Sequence, residues 1–304
     1  MDGAQKVVVT GGAGFIGSHI ADALLARGYE VHVIDNLAGG KRQNVPEKAV
    51  FHEIDILDTA LITPILSGAR AVFHEAALPR VQFSIDKPLD AHRANVDGTL
   101  SVLVAAREGG AGRVIYAASA SAYGNQEMLP MKETMRPSPV NPYGLHKYIG
   151  EMYMEMFSRV YGLPTVSLRY FNVYGPRMDA EGPYGLAIAR FMKLYANGEK
   201  LTIVGDGTQT RDFTHVRDVV AANLLAMEKE NIGAGEIINI GAGRNISVNY
   251  LADLVDPGKE RSMLPPRIEA HDSRADTSRA KALLGWEPQV MIEEGIAELK
   301  SALA

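Results

Sequence analysis

Short apolar runs punctuate the first half of the chain at 5–10, 30–34, 50–54, 71–74, 112–117 and 164–169. Between them, apolar residues recur at helical spacing over 15–27, 58–66, 86–108 and 142–161. Runs such as Val7-Val8-Val9 and Ala71-Val72-Phe73 are apolar throughout rather than alternating, as in strands buried on both faces. The pattern therefore predicts a parallel sheet with helices on each side. After residue 170 the rhythm changes. A Gly- and Pro-rich stretch covers 175–185, short strand-like runs follow at 201–204 and 211–214, then a helix over 216–228, a strand over 236–240 and small helices to the C-terminus. The expected architecture is α/β in two parts. Residues 1–170 with 216–242 form a doubly wound parallel sheet, and 171–215 with 243–304 form a smaller α/β lobe. In such sheets ligands bind beyond the C-terminal strand ends, so the lobe is expected to close over that edge.

The first strand-to-helix junction carries chemistry. Thr10 leads into Gly11-Gly12-Ala13-Gly14-Phe15-Ile16-Gly17. Gly11 permits a tight turn, Gly14 lets the backbone approach a pyrophosphate, and Gly17 lets the helix pack closely on the sheet. The N–H groups of the helix start, at Phe15 and Ile16, would face phosphates. Asp35, with Asn36 beside it, ends the second strand where an adenosine ribose would present its hydroxyls. Strand, turn, helix, strand and acid fall in order within about 35 residues, the layout of a Rossmann-like dinucleotide site. Asp35 favours NAD, because its charge repels a 2′-phosphate, while nearby Lys41 and Arg42 keep NADP open.

Composition narrows the classes. The chain has 304 residues, 46% hydrophobic and 22% charged, with a formal net charge of −5. Its basic residues are scattered, which gives no reason to expect nucleic acid or an anionic membrane as a partner. There is no cysteine, so disulfides and a thiol nucleophile are excluded. No apolar stretch reaches the roughly 18 residues of a membrane span, and no basic-then-apolar leader precedes the first strand. A cytoplasmic protein is expected. The eight histidines show no ligand spacing, and no metal is expected.

A second constellation lies downstream. Tyr143 and Lys147 are four residues apart after Asn141-Pro142, where a helix can start, so phenol and ammonium share one helix face. A tyrosine is a poor base at neutral pH, and a fixed lysine charge beside it favours phenolate. Such a pair arises readily by chance in a chain with 12 tyrosines. Its meaning comes from the preceding strand, which ends in Ser119-Ala120-Ser121, where a hydroxyl could share a proton with the tyrosine.

With Thr10 to Gly17, Asp35, Ser119, Tyr143 and Lys147 in place, the chain resembles the extended short-chain dehydrogenase/reductases, in particular their NAD-dependent nucleotide-sugar 4-epimerases. Further segments fit over nearly its whole length: Asp55-Ile56, His74-Glu75-Ala76-Ala77, Asn95, Leu168 to Arg177, and Gly205 to Phe213. The resemblance implies adenine-side contacts from Asp55 and Ile56, cofactor contacts from Ala76 and Ala77, and a structural role for Asn95 beside the cofactor. It implies that Tyr170 and Phe171 border the nicotinamide, with Phe171 and Asn172 on the substrate side. Arg211 would contact the nucleotide diphosphate, and Ser119, Ser121 and Tyr143 the sugar.

The family's dehydratases and decarboxylases carry acids after the strand-end serine, for elimination or carboxylate loss, whereas this chain has Ala120 and Ser121. The resemblance therefore implies a UDP-hexose 4-epimerase of the glucose or N-acetylglucosamine series. A dehydratase, a decarboxylase, a glucuronate epimerase and a non-enzymatic NAD-binding module remain as alternatives. The family's phosphate-binding arginine is shifted by one here, to Arg267, which is read either as that ligand or as a surface residue. The stretch 247–262 is short, which leaves the nucleotide preference open. His146 is expected on a different helix face from the pair, at the surface. Met152 and Met156 share a face and are read as core or dimer packing, and the resemblance implies a homodimer built on helices 86–108 and 142–161.

Overall fold

A computed structural model describes residues 4–179, 187–265 and 271–303. The strands of the first half are β1 (Lys6–Thr10), β2 (Glu30–Ile34), β3 (Val50–His52), β4 (Ala71–His74), β5 (Val114–Ser119) and β6 (Thr165–Tyr170). Each expected strand forms, with ends displaced by at most two residues. The helices between them are α1 (Phe15–Ala26), α2 (Thr59–Leu66), α3 (Val81–Asp86), α4 (Pro88–His92), α5 (Gly98–Glu108) and α6 (Pro142–Tyr161). Later come β7 (Val173–Tyr174), α7 (Ala187–Ala196), β8 (Thr202–Val204), β9 (Thr210–Arg211), β10 (Thr214–His215), α8 (Val216–Glu228) and β11 (Ala234–Ile240). The chain ends with β12 (Ile246–Ser247), α9 (Val248–Val255), β13 (Ser262–Leu264), α10 (Ser278–Leu284) and α11 (Ile292–Ser301).

Seven strands form one parallel sheet in the order β11-β6-β5-β4-β1-β2-β3. The order reverses direction at β1, the switch point of a Rossmann-like sheet. The pleat explains why the strands are apolar throughout: Val7 and Val9 join one buried cluster and Val8 the other. The first cluster packs α1, α8 and α10 on one face, and the second packs α2, α5 and α6 on the other. A third core, around Ile188, Phe191, Ile203, Leu251, Val255 and Ile296, is built from segments outside that sheet.

Two expectations change. The single helix expected over 86–108 starts at Pro88 and runs on to Glu108 as α4, a π-turn at Arg93–Asp97 and α5, and α3 precedes it. Pro88 starts α4 because it lacks an N–H, and Asn95 bonds back to the Leu78 backbone in the middle of the expected helix. The run 211–214 is two short bridges, β9 and β10, with different partners. Part of the loop at 175–185 lies outside the described residues. Among the described residues, no helix is long and apolar enough to cross a membrane.

Candidate active site

The glycine turn has the close contacts that its residue types require. Gly11 has φ +71°, and a Cβ there would lie 2.6 Å from Ala76 N. A Cβ on Gly17 would lie 2.4 Å from Gly11 O, so only glycine lets α1 sit this near the turn. Helix α1 starts at Phe15 after Gly14, with no side-chain cap. Its first N–H groups thus lack the side-chain acceptor that caps α2, α6, α8 and α9.

Asp35, 7% exposed, accepts Ala13 N–H at 3.0 Å and Leu37 N–H at 2.8 Å. Burial raises its pKa while these two bonds lower it. An ionised carboxylate offers about four acceptor positions, so capacity remains for ribose hydroxyls. Asn36 Nδ2 donates to Asp55 Oδ2 at 2.9 Å, tying the two loop residues together, and Ile56 is buried against Gly98. The Arg42 guanidinium lies 4.5 Å over the Phe51 ring. The residues fit a dinucleotide: a crowded glycine turn, an uncapped helix start and an acid with spare acceptors meet at one strand edge.

The Tyr143, Lys147 and Ser119 side chains converge at the end of β5. Helix α6 starts there because Asn141 accepts Gly144 N–H at 2.9 Å and Pro142 occupies the first turn. Gly144 packs where a Cβ would come within 2.5 Å of Ser121 O, and Ser84 Oγ accepts Tyr143 N–H at 3.1 Å. Ser121 itself donates its N–H to Ser119 Oγ at 3.2 Å. The Ser119 hydroxyl acts on the Tyr143 phenol from the end of β5. Burial pushes that phenol up to about 12, Ser119 opposes the rise, and Glu75 adds to it. Lys147 Nζ donates to Ala117 O at 2.7 Å and lies 4.9 Å over the Tyr116 ring. Burial pushes it down to about 8, against Glu75 and Glu151.

Behind the pair, Arg169 Nε and Nη2 donate to the two Glu151 oxygens at 2.7 and 2.6 Å, and both side chains are buried. His74 bridges Thr10 Oγ1 at 2.8 Å and Thr99 Oγ1 at 2.9 Å. Burial and Lys147 push it down to about 3, so it is neutral. Ala76 and Ala77 follow at the strand end, half-buried, with Ala76 against the glycine turn. Both ends of the Asn95 amide bond the Leu78 backbone, at 2.7 and 3.1 Å.

The remaining sequence-predicted residues lie on the lobe side. The Tyr170 hydroxyl donates to Glu75 Oε1 at 2.8 Å and accepts from Asn223 Nδ2 at 2.7 Å. The Phe171 ring is fully buried in a cluster with Tyr123, Met131 and Ala275. Its side chain therefore packs the core, which corrects the expectation that it borders a ligand through its ring. Asn172 Nδ2 donates to Asp212 O at 3.1 Å, and Arg211 Nη1 donates to Thr210 O and His271 O. Arg267 lies outside the described residues.

Sequence reading missed Asp212, whose carboxylate accepts Ala242, Gly243 and Ala275 N–H groups at 2.7, 3.0 and 2.9 Å. Burial pushes it up to about 6 against those bonds, and it ties the loop after β11 to the lobe. It also missed Glu75 and the Glu151–Arg169 pair. His146 is a correction: it is 4% exposed and meets the His92 ring edge-on at 5.3 Å, so α4 covers the face expected at the surface. Met154, not Met152 or Met156, is the fully buried methionine of this run. Among the described residues, no group of three or more histidines and acids could hold a metal.

Comparison with known proteins agrees with this geometry. Residues 7–241 match the NAD dependent epimerase/dehydratase family. The chain is 37% identical over 307 residues to a UDP-glucose 4-epimerase of Mycolicibacterium smegmatis, covering 97% of both chains. It is similar to the UDP-glucose 4-epimerase of Thermotoga maritima solved with UDP-glucose, with TM-score 0.94, 42% identity and 98% of both chains covered. It is also similar to a UDP-N-acetylglucosamine 4-epimerase of Methanobrevibacter ruminantium solved with UDP-N-acetylmuramic acid, with TM-score 0.92, 35% identity and 98% of both chains covered. The glycine turn, the strand-end serine and the Tyr143–Lys147 pair thus sit in a chain that belongs to the NAD dependent epimerase/dehydratase family.

Proposed function

We propose that this protein is a UDP-hexose 4-epimerase that interconverts gluco and galacto sugars, acting on UDP-glucose and accepting the N-acetylglucosamine series. The observation that carries the reading is the Ser119–Tyr143–Lys147 arrangement at a strand end whose next residues, Ala120 and Ser121, bear no acid. Gly11, Gly14, Gly17 and the uncapped start of α1 would hold the pyrophosphate of NAD, with Asp35 on the adenosine ribose. When bound, NAD accepts a hydride from C4 and gives it back.

The chain's own groups supply the proton chemistry. Tyr143 takes the C4 hydroxyl proton, and Ser119 holds that hydroxyl against the phenol. Lys147, buried one helical turn on from Tyr143, would favour the phenolate. The same phenol returns the proton after the 4-keto sugar has presented its other face. Asn172 and Arg211 would hold the sugar diphosphate, which assigns the lobe at 171–215 and 243–304 to the nucleotide sugar.

A homodimer completes the reading. On α6, Leu145, Ile149, Met152 and Met156 follow one another at steps of four and three residues, a single stripe with Leu145 and Met152 exposed. Leu100 and Val104 of α5 are half-buried, and Ile85 and Leu89 stand exposed on α3 and α4. Two such helix faces from two copies would make a four-helix contact.

The test is proton NMR of UDP-glucose and UDP-N-acetylglucosamine, each incubated with the purified protein and with a Tyr143→Phe variant. The galacto epimer is expected from the parent, at least a hundredfold slower from the variant, on the order of a lost general base. A 4-keto or decarboxylated product would replace this reading by one of the alternatives. Parental rates in Tyr143→Phe would remove Tyr143 from the mechanism.

A further inference from the structure

Beside Tyr143 and Lys147 stands an acid that the proton chemistry above does not use. Glu75 follows His74 at the end of β4, and its N–H donates to Thr10 O at 3.1 Å, next to the glycine turn. Tyr170 of β6 donates its hydroxyl to Glu75 Oε1 at 2.8 Å. Asn223 of α8 donates to that hydroxyl at 2.7 Å and to Val219 O at 2.9 Å. A half-buried carboxylate is thus held from two other elements rather than left to turn toward solvent.

The charges around it are few. Facing Glu75 are Tyr116 from β5, Tyr143 and Lys147 from α6, and Tyr170 from β6. His74 on its own strand is neutral, and the three tyrosines are pushed up, by burial first. Glu151, the other acid acting on Lys147, accepts from Nε and Nη2 of Arg169. One cation and one anion are left over, Lys147 and Glu75.

The sign of their coupling follows from charge alone. Proton loss from Tyr143 or from Lys147 makes the cluster one unit more negative, and a neighbouring carboxylate opposes that loss from either group. We propose that Glu75 is a positioning residue for the reaction: held by Tyr170, it is the counter-charge of Lys147 and keeps the proton on the Tyr143–Lys147 pair near neutral pH. The pair can then return a proton to the sugar oxygen as well as take one. Burial pushes the Glu75 carboxyl up, with the Tyr170 bond and the Lys147 charge pulling back toward the ionised form. Among the charges acting on Lys147, Glu75 comes before Glu151.

This inference rests on the assignment of Tyr143 and Lys147 above, and its test separates the two. The pH profile of kcat is measured from about pH 5 to about pH 9 for the parent, Glu75→Gln and Glu75→Leu. The glutamine keeps the shape and the acceptor for Tyr170. The leucine removes the buried charge together with its desolvation cost, and so serves if the glutamine variant is unstable. In both, the acid-limb midpoint is expected to fall by about one pH unit, with KM little changed. The ultraviolet tyrosinate titration of the purified protein, differenced against Tyr143→Phe in the same background, is expected to move the same way. An unmoved or raised midpoint in these variants, whatever their rate, overturns the inference. If Tyr143→Phe keeps the parental rate, the pair itself has been misassigned; if it is inactive while the midpoints stay fixed, Glu75 alone has been misread.

Discussion

A single Cβ separates two kinds of glycine in this chain. At Gly17 it would lie 2.4 Å from the Gly11 carbonyl oxygen, so alanine there has to push α1 away from the turn. At Gly28, with φ +81°, nothing lies within 4 Å, and alanine suffers only its left-handed backbone. Gly17→Ala is therefore expected to cost about 1–3 kcal/mol and to abolish NAD retention, and Gly28→Ala to cost about 1–2 kcal/mol with retention intact. Thermal unfolding and cofactor content after gel filtration check both. If Gly17→Ala retained the parental cofactor content, the turn would not be the phosphate cradle. The same residues explain what could be read in advance. A glycine turn is written locally, because backbone freedom belongs to the residue. Glu75 is not, since its significance lies in Tyr170, 95 residues away. His146 was misread because a helical wheel knows its own helix but not that His92 of another would cover it.

At the scale of elements, the strands were legible because full burial leaves continuous apolar runs, whereas the π-turn inside helix 86–108 was not. A π-turn has no composition of its own: Asn95 stays in helical backbone there, and what marks it is an amide that bonds the Leu78 backbone at both ends. Helix α6 also docks by a device that no periodicity reveals, the buried fork of Arg169 from β6 onto Glu151. Arg169 lies 4.4 Å over the Tyr123 ring as well. Removing one partner of such a pair strands a buried charge, at about 3–5 kcal/mol, while replacing both by apolar residues is often neutral. Arg169→Met should lower the unfolding free energy by that amount, and the double replacement with Glu151→Leu should recover most of it. A double-mutant cycle in denaturant measures the coupling. Near-zero coupling would mean that the apolar packing of α6 holds the helix without the fork.

At the scale of the whole molecule, the residues of the catalytic constellation all come from one chain, so assembly and chemistry are separable. The apolar stripe of α6 and Leu89 of α4, which is 83% exposed, form an apolar surface that the described residues leave uncovered. A lone exposed leucine means little, but a stripe at steps of four and three beside further apolar residues on α3 to α5 is what a helix needs to seat a second copy. The stripe runs along the same helix that carries Tyr143 and Lys147, within about two and a half turns of them at Leu145 and Met152. A dimer would therefore stiffen the catalytic helix without contributing a group to the reaction. Leu89→Lys with Met152→Lys is expected to give monomers by analytical ultracentrifugation, since two buried like charges per copy would face their symmetry mates across the contact. Because the Ser119, Tyr143 and Lys147 contacts are made within one chain, the monomer should keep its chemistry at moderate temperature and unfold earlier on heating. A parental protein that sediments as a monomer at micromolar concentration would remove the dimer. A variant that is monomeric, folded and inactive would show instead that α6 needs its partner to hold Tyr143 in place.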